Sequence, residues 1–193
     1  MKRRRSSSKC LAEPTRIGCW AALALLLLLG LFSQPASAEN VTELKYDSHS
    51  KSHFLVRKTT RPISWLEARQ LAMQMERNGV RGRLALVKEA PTHLFLEESF
   101  ELDESAWIGL RYWCRLQKAK WVTGEDHDRS RLNAWAEPWY YEETGHCGGQ
   151  RGYGAASFMP VFYLPQEYGF RWRASGVRLS LRRFIVEFPS DEE

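Results

Sequence analysis

The sequence is poor in cysteine and, once its N-terminal segment is set aside, has no excess of either charge. The chain of 193 residues carries 28 basic and 23 acidic residues, of which six basic and one acidic residue fall within residues 1–38. The remaining 155 residues therefore hold 22 of each sign. Nucleic-acid-binding domains usually carry a clustered positive excess, so we expect no nucleic-acid partner. A stretch of this length suits one domain of ordinary size.

No apolar run in the sequence is long enough to cross a membrane. The longest spans residues 20–32, about 13 residues, whereas a spanning helix needs about 20. It follows six basic residues and precedes Ala36-Ser37-Ala38, a pattern typical of a cleaved secretory signal. We predict export to a periplasmic or extracellular space, with no membrane span after cleavage. The alternative is an uncleaved signal anchor.

Only two cysteines lie beyond residue 38. They are Cys114 and Cys147. An even pair in an oxidising compartment favours a disulfide, and the alternative is two buried thiols.

The elements predicted from the sequence indicate an α+β domain without internal repeats. Ser64 and Glu67 are typical of a capping box and predict a helix over residues 64–75. A second helix is predicted over 90–100, with Pro91 in its first turn. Short strands are predicted at residues 53–56, 84–87, 107–110, 121–122 and 184–188, with Arg61-Pro62 ending the first. Residues 124–160 are predicted to form a long irregular region, which in a compact domain is usually functional or disordered.

Aromatic and acidic residues cluster in that irregular region. Trp139, Tyr140 and Tyr141 are consecutive and lie next to Glu137 in the sequence. Aromatic rings stack on sugars or on peptide side chains, and carboxylates accept hydrogen bonds from such ligands. Three consecutive rings cannot all point inward, so we expect at least one to be exposed. For the nearby Trp135 we favour burial at the base of the region, as is usual for tryptophan.

Other polar motifs in this region favour turns over catalytic or metal sites. The glycine-rich residues 145–154 lack the strand and helix of a phosphate-binding loop. His146 is adjacent to Cys147, whereas catalytic pairs are assembled in space. The acidic residues around His127 favour a solvated turn over a metal site.

Several short motifs occur in a fixed order over residues 52–189. They are Ser64-Trp65-x-Glu67-Ala68, Leu84-Ala85-Leu86-Val87, Trp107-Ile108-Gly109-Leu110, Asn133-x-Trp135 with Glu137-Pro138, Trp172, and Phe184-Ile185-Val186-Glu187. In this order they resemble the C-type lectin-like family. The resemblance implies an α+β fold with two helices, small antiparallel sheets and a long irregular loop.

The sequence departs from that family at its disulfides. The family usually joins its first helix to its last strand, and the resemblance places those partners at Ala72 and Val186. We expect these two apolar residues to fill the gap by packing. The family's second disulfide is at most half present, because Cys147 lies near the place of one partner and the other partner is missing. We hypothesise that Cys147 pairs with Cys114 instead and holds the long loop against residues 107–110.

The sequence also departs from the family at its calcium site. Sugar-binding members supply oxygen ligands from a Glu-Pro-Asn type loop and from an Asn-Asp pair after the strand tryptophan. Here Trp139 follows Glu137-Pro138, and Arg173 and Ala174 follow Trp172. Calcium takes six to eight oxygen ligands, so we expect no calcium-dependent sugar binding, no metal and no cofactor.

The sequence as a whole predicts an exported, non-catalytic module that binds a protein or glycan. Its predicted parts are a signal peptide (1–38), a flexible mature N-terminus (39–51), a C-type lectin-like domain (52–189) and an acidic tail (190–193). The predicted binding residues are Glu137, Trp139, Tyr140, Tyr141 and Arg173. The alternatives are a true lectin that stacks sugars on aromatic rings, a secreted hydrolase that uses His146 or His127, and a structural domain that binds nothing small.

Overall fold

The computed structural model describes residues 42–136 and 158–190. The chain divides into two units, residues 1–38 and residues 39–193, and every described residue belongs to the second. The bounds predicted for the signal peptide, the mature N-terminus and the acidic tail remain predictions.

One eight-stranded sheet organises the described residues. Its strands are β1 (Lys45–Asp47), β2 (Ser52–Ile63), β5 (Arg83–Leu84), β6 (Ala106–Trp113), β7 (Lys118–Trp121), β8 (Phe158–Tyr163), β9 (Trp172–Ala174) and β10 (Leu181–Phe188). The main path runs β1-β2-β10-β6-β8-β9, with β5 paired to β10 and β7 paired to β6. A separate hairpin joins β3 (Glu76–Arg77) to β4 (Val80–Arg81).

The closing strand β10 lies at the centre of this sheet. It runs antiparallel to β2 and parallel to β6, where Phe184 lies opposite Trp107. The strand predicted to end at Arg61-Pro62 is longer than expected, because β2 continues to Ile63. The ladder between β2 and β10 is irregular there, with a register shift between Leu181 and Arg183. Proline is tolerated at such an irregularity because it has no N–H to donate to the ladder.

The two predicted helices are confirmed. Helix α1 spans Trp65–Gln74 and helix α2 spans Ala90–Ser99, with a proline in the first turn of α2. The capping box is present. The Glu67 amide donates to Ser64 Oγ over 3.2 Å, and the Ser64 amide donates to Glu67 Oε2 over 2.9 Å. These two bonds satisfy amides that the first turn of a helix leaves without partners.

The strand predicted over residues 84–87 is shorter in the structure. It comprises only Arg83–Leu84, although residues 85–87 are buried as expected. The amide of Leu86 donates to a side chain, Glu187 Oε2, over 2.8 Å. That bond replaces the backbone partner that would extend the ladder.

The core consists of two apolar clusters. Neighbouring residues of β6 alternate between them, since Trp107 belongs to one and Ile108 to the other, as the side-chain period of a strand requires. The cluster of Trp107 packs α1 against the sheet. There the indole of Trp65 donates to the Ile108 carbonyl over 2.7 Å, and the indole of Trp107 donates to the Ile63 carbonyl over 3.0 Å.

Ala72 and Val186 also belong to the Trp107 cluster, and both are fully buried. Apolar packing therefore joins the first helix to the last strand at the positions where the family resemblance places a disulfide.

Candidate functional site

We call the part of the irregular region from residue 134 onward the long loop. Its first residues lie beside strand β9. The amide of Trp172 donates to the Ala134 carbonyl over 2.7 Å, and the amide of Ala136 donates to the Trp172 carbonyl over 2.9 Å. Trp135 and Trp172 thereby form a parallel bridge. The backbone is held against β9 up to residue 136, one residue before Glu137.

The base of the long loop is a cluster of tryptophans. Trp135 is 7% exposed, which confirms its predicted burial. Its ring centroid lies 5.6 Å from that of Trp172, and Trp121 lies 6.0 Å from Trp172, both nearly perpendicular to it. Such edge-to-face pairs contribute about 0.5–1.5 kcal/mol each beyond their buried area. These contacts fix Trp135 against β9 at the last described residues before Glu137.

Arg173 is exposed on β9, between the buried residues Trp172 and Ala174. It pairs with Phe162 of β8 and lies next to the residue whose carbonyl holds Ala136. The structure thus places this predicted binding residue beside the start of the long loop. The other four, Glu137, Trp139, Tyr140 and Tyr141, lie outside the described residues, and their roles remain predictions.

The two positions after Trp172 do not fit a calcium ion. They present an exposed guanidinium and a buried methyl group, Arg173 and Ala174, whereas calcium requires carboxylate, amide or carbonyl oxygens. Within residues 42–136 and 158–190, no three His, Cys, Asp or Glu side chains are grouped so that they could hold a metal ion.

His127 is packed among aromatic rings near the loop base. Its ring centroid lies 5.7 Å from that of Trp121 and 5.2 Å from that of Trp172. Burial, reinforced by the charge of Arg129, lowers the pKa of His127 to about 4. No carboxylate of the described residues hydrogen-bonds either ring nitrogen. An imidazole with so low a pKa is a weak proton acceptor at neutral pH, and no carboxylate of the described residues orients it, so His127 is poorly suited to general base catalysis. The other candidate for a hydrolase, His146, lies outside the described residues.

Acidic residues around His127 are engaged in local contacts. The carboxylate of Asp126 pairs with Lys118 at 3.0 Å and with Lys120 at 2.5 Å. Glu125 pairs with Lys88 at 2.6 Å, and Asp128 accepts hydrogen bonds from Ser130. A cavity of about 460 Å³ lies beside this segment; its lining includes Tyr112, Lys118, His127, Arg129 and Trp135.

Sequence reasoning missed two charged residues in apolar strands. Glu187 is 3% exposed in β10 and receives hydrogen bonds from Arg83, Ser52 and the Leu86 amide. Arg111 lies in β6 among three aromatic rings. The signal available in the sequence was a charge inside an otherwise apolar run, which is unusual in a buried strand.

Cys114 packs against the core cluster that contains Trp121 and Trp172. Its proposed partner Cys147 lies outside the described residues, so the pairing of the two cysteines remains a prediction.

The fold is that of C-type lectin-like domains. The chain is 16% identical to the carbohydrate-recognition domain of the human scavenger receptor C-type lectin, over 76% of this chain and 95% of that chain, with a TM-score of 0.53. The mouse counterpart gives 15% identity, the same coverage and a TM-score of 0.52. The chain is also 16% identical to the C-type lectin CEL-I from Cucumaria echinata, over 76% of this chain and 94% of that chain, with a TM-score of 0.50.

No family model and no curated protein sequence matches the chain. The structural matches confirm the predicted α+β, C-type lectin-like fold. Among the helices of the described residues, none combines the length and the apolar character that a membrane crossing requires.

Proposed function

We propose that the chain is an exported, non-catalytic binding module that recognises a protein or a glycan at a cell surface through its long-loop face, without calcium. The observation that carries this proposal is Arg173, exposed on a strand whose backbone holds the start of the long loop. The fold shared with C-type lectin-like domains supports the proposal of a binding module. The absence of calcium is proposed because the side chains after Trp172 are a guanidinium and a methyl group, which contain no oxygen.

Recognition is assigned to aromatic rings and charge. Trp139, Tyr140 and Tyr141 provide flat apolar surface, Glu137 accepts hydrogen bonds, and Arg173 contributes a positive charge. Exposed aromatic and arginine side chains are frequent anchors in protein interfaces. The tryptophan cluster fixes the backbone at residues 134–136, immediately before these residues in the sequence, and preorganisation of a binding surface favours affinity.

A Cys114–Cys147 bridge completes the proposal. Cys114 packs against the core just after β6, and beyond the predicted signal Cys147 is the one other cysteine in the sequence. The bridge would hold the loop to the end of β6. Peptide mass mapping of the unreduced protein should yield a 114–147 linked pair. Two free thiols would contradict both the bridge and the oxidising compartment that we infer from the N-terminal signal.

The test is binding to a glycan array and to an array of extracellular proteins, each with calcium and with EDTA. We expect the same ligand signal in both buffers. Replacement of Trp139, Tyr140 and Tyr141 by alanine should lower it by about tenfold or more, as loss of an interface anchor does. Arg173→Glu should also weaken it.

Arg182→Glu is the matched control, because Arg182 is exposed on β10, which β6 and β8 separate from β9. It should leave the signal unchanged. Binding that requires calcium, or that survives all the loop replacements, would overturn the proposal, as would the absence of any ligand on either array. Glycan signals alone would identify a true lectin.

A further inference from the structure

Arg111 is enclosed by aromatic rings in the middle of β6. Its Cζ lies 5.1 Å from the ring centroid of Trp65, 5.1 Å from that of Trp113 and 5.3 Å from that of Phe158. Its Nε is buried and has no hydrogen-bond partner among the described residues. Cation–π contacts stabilise a guanidinium but supply no acceptor for the N–H groups at its edge, and Arg111 is only partly buried.

A second arginine, Arg69, follows Trp65 by four positions in α1, about one helical turn from the ring that stacks on Arg111. Burial lowers the pKa of Arg111, and the positive charge of Arg69 lowers it further. Within residues 42–136 and 158–190, neither guanidinium forms an ion pair. Two neighbouring cations without an anion repel each other, so a bound carboxylate would remove an unfavourable interaction as well as add a favourable one.

The carboxylates on neighbouring elements have other partners. Asp126 pairs with Lys120, which lies opposite Arg111 in the β6–β7 ladder. At the capping box of α1, Glu67 pairs with Arg61 at 2.7 Å. The buried carboxylate of Glu187 is held by Arg83. The positive charge of Arg69 and Arg111 is therefore not balanced by these groups.

An apolar groove of about 230 Å³ adjoins Arg69. Its lining includes Met73 of α1, Leu84 of β5 and Val122 after β7, with Arg69 and Arg81 among its charged residues. Met73 is 47% exposed and Leu66 is 53% exposed. Leu66, Arg69 and Met73 follow helical i, i+3, i+7 spacing and share one face of α1. Apolar surface therefore adjoins positive charge that has no ion-pair partner among residues 42–136 and 158–190.

We propose that this groove, lined by Arg69, Met73, Leu84 and Val122, docks a protein partner through an acidic segment. Arg111 lies beside the groove, two positions after Gly109 of β6, whose carbonyl accepts the Val122 amide. A carboxylate of the segment binds Arg69 and Arg111, and a neighbouring apolar side chain fills the groove. The guanidinium fork matches carboxylate geometry. A sulfated glycan would match the charge but would leave the apolar groove unfilled. This interface does not depend on the long loop.

The test is selection from a random 12-residue peptide library displayed on phage, against the immobilised full mature chain. Selected peptides should carry Asp or Glu next to an apolar residue. The variant Arg69→Gln/Arg111→Met removes both charges, while the methionine keeps apolar packing against the three rings. It should bind the selected peptides about tenfold or more weakly, consistent with the loss of a desolvated charge contact. Near-UV circular dichroism confirms that the variant is folded.

The matched control is Arg182→Glu, which alters an exposed arginine on β10 and should change affinity by less than about twofold. Leu66→Ser/Met73→Ser should weaken peptide binding without changing the need for an acidic residue. Peptides without acidic residues, unchanged binding by the charge-removed variant, or failure to select any peptide would overturn the proposal. So would binding of a heparin-type sulfated glycan through these arginines when no peptide binds.

Discussion

At the residue scale, burial decides what each titratable side chain can do. His127 was a candidate catalytic base on its sequence neighbours, three acidic residues within the span 125–128. In the structure Glu125 and Asp126 form ion pairs with lysines, and Asp128 accepts a hydrogen bond from Ser130. The imidazole of His127 packs against two tryptophans. Its environment resembles that of a core histidine, and burial favours its neutral form.

The lowered pKa of His127 predicts a stability that depends on pH. The pKa is about 4 in the folded chain against an ordinary value of 6.5. Between those values the unfolded chain binds a proton that the folded chain does not, so stability falls as pH falls from 6.5 towards 4. We expect the free energy of unfolding to drop by about 1–2 kcal/mol more between pH 7 and pH 5 in the wild type than in His127→Gln, allowing for partial exposure.

Urea unfolding of both proteins at the two pH values measures this difference. Comparing each protein with itself removes any pH-independent cost of the substitution. Equal losses in the two proteins would show that His127 is not the group responsible.

At the element scale, local chemistry and tertiary contacts contribute differently to each segment. Helix α1 begins where its capping box places it, because both reciprocal bonds lie within four consecutive residues. The segment after β5 does not continue as a strand, because Glu187, about a hundred positions further along, accepts the Leu86 amide bond. Neighbouring side chains cannot reveal that partner.

The capping box predicts a measurable cost for losing its hydroxyl. Ser64→Ala removes the acceptor of the Glu67 amide and should lower the free energy of unfolding by about 1 kcal/mol. Ser99→Ala, in the last turn of α2, is a control that should change it by less than about 0.5 kcal/mol. Thermal or urea unfolding of the three proteins gives the comparison. Equal effects of the two substitutions would argue against a stabilising cap.

At the scale of the whole molecule, β10 connects parts that are far apart in the chain. It pairs with β2, β5 and β6. Its buried Glu187 bonds to Arg83, to Ser52 and to the segment after β5. A buried carboxylate without partners would be costly, so these bonds are required if the strand is to keep its place in the sheet.

Loss of the Glu187 charge should therefore destabilise the whole fold. Glu187→Gln leaves Arg83 without its anion and should lower the free energy of unfolding by about 2–3 kcal/mol. We expect a cost at the low end of the range for broken buried ion pairs because Arg83 is partly exposed. Glu104→Gln breaks a more exposed pair with Lys58 and should cost less than about 1 kcal/mol. Urea unfolding monitored by tryptophan fluorescence measures both. A loss below about 1 kcal/mol for Glu187→Gln, no larger than that for Glu104→Gln, would contradict the stabilising role of Glu187.

The sequence by itself determined the features that depend on neighbouring residues: both helices, the strand around Trp107, and the burial of Trp135. It also identified Gly109 within the Trp107 motif, but only the structure supplies the reason. A Cβ on that glycine would lie 2.6 Å from the Leu84 carbonyl oxygen, a separation that real side-chain carbons essentially never adopt.

Tertiary structure alone decided the contacts between distant segments. It placed β10 between β2 and β6, carried β2 through Pro62, and brought Arg69 near Arg111. Strand register and charge proximity arise from the packing of segments that lie tens of residues apart. Their energies depend on burial and distance in the folded chain, quantities that periodicity and capping rules do not contain.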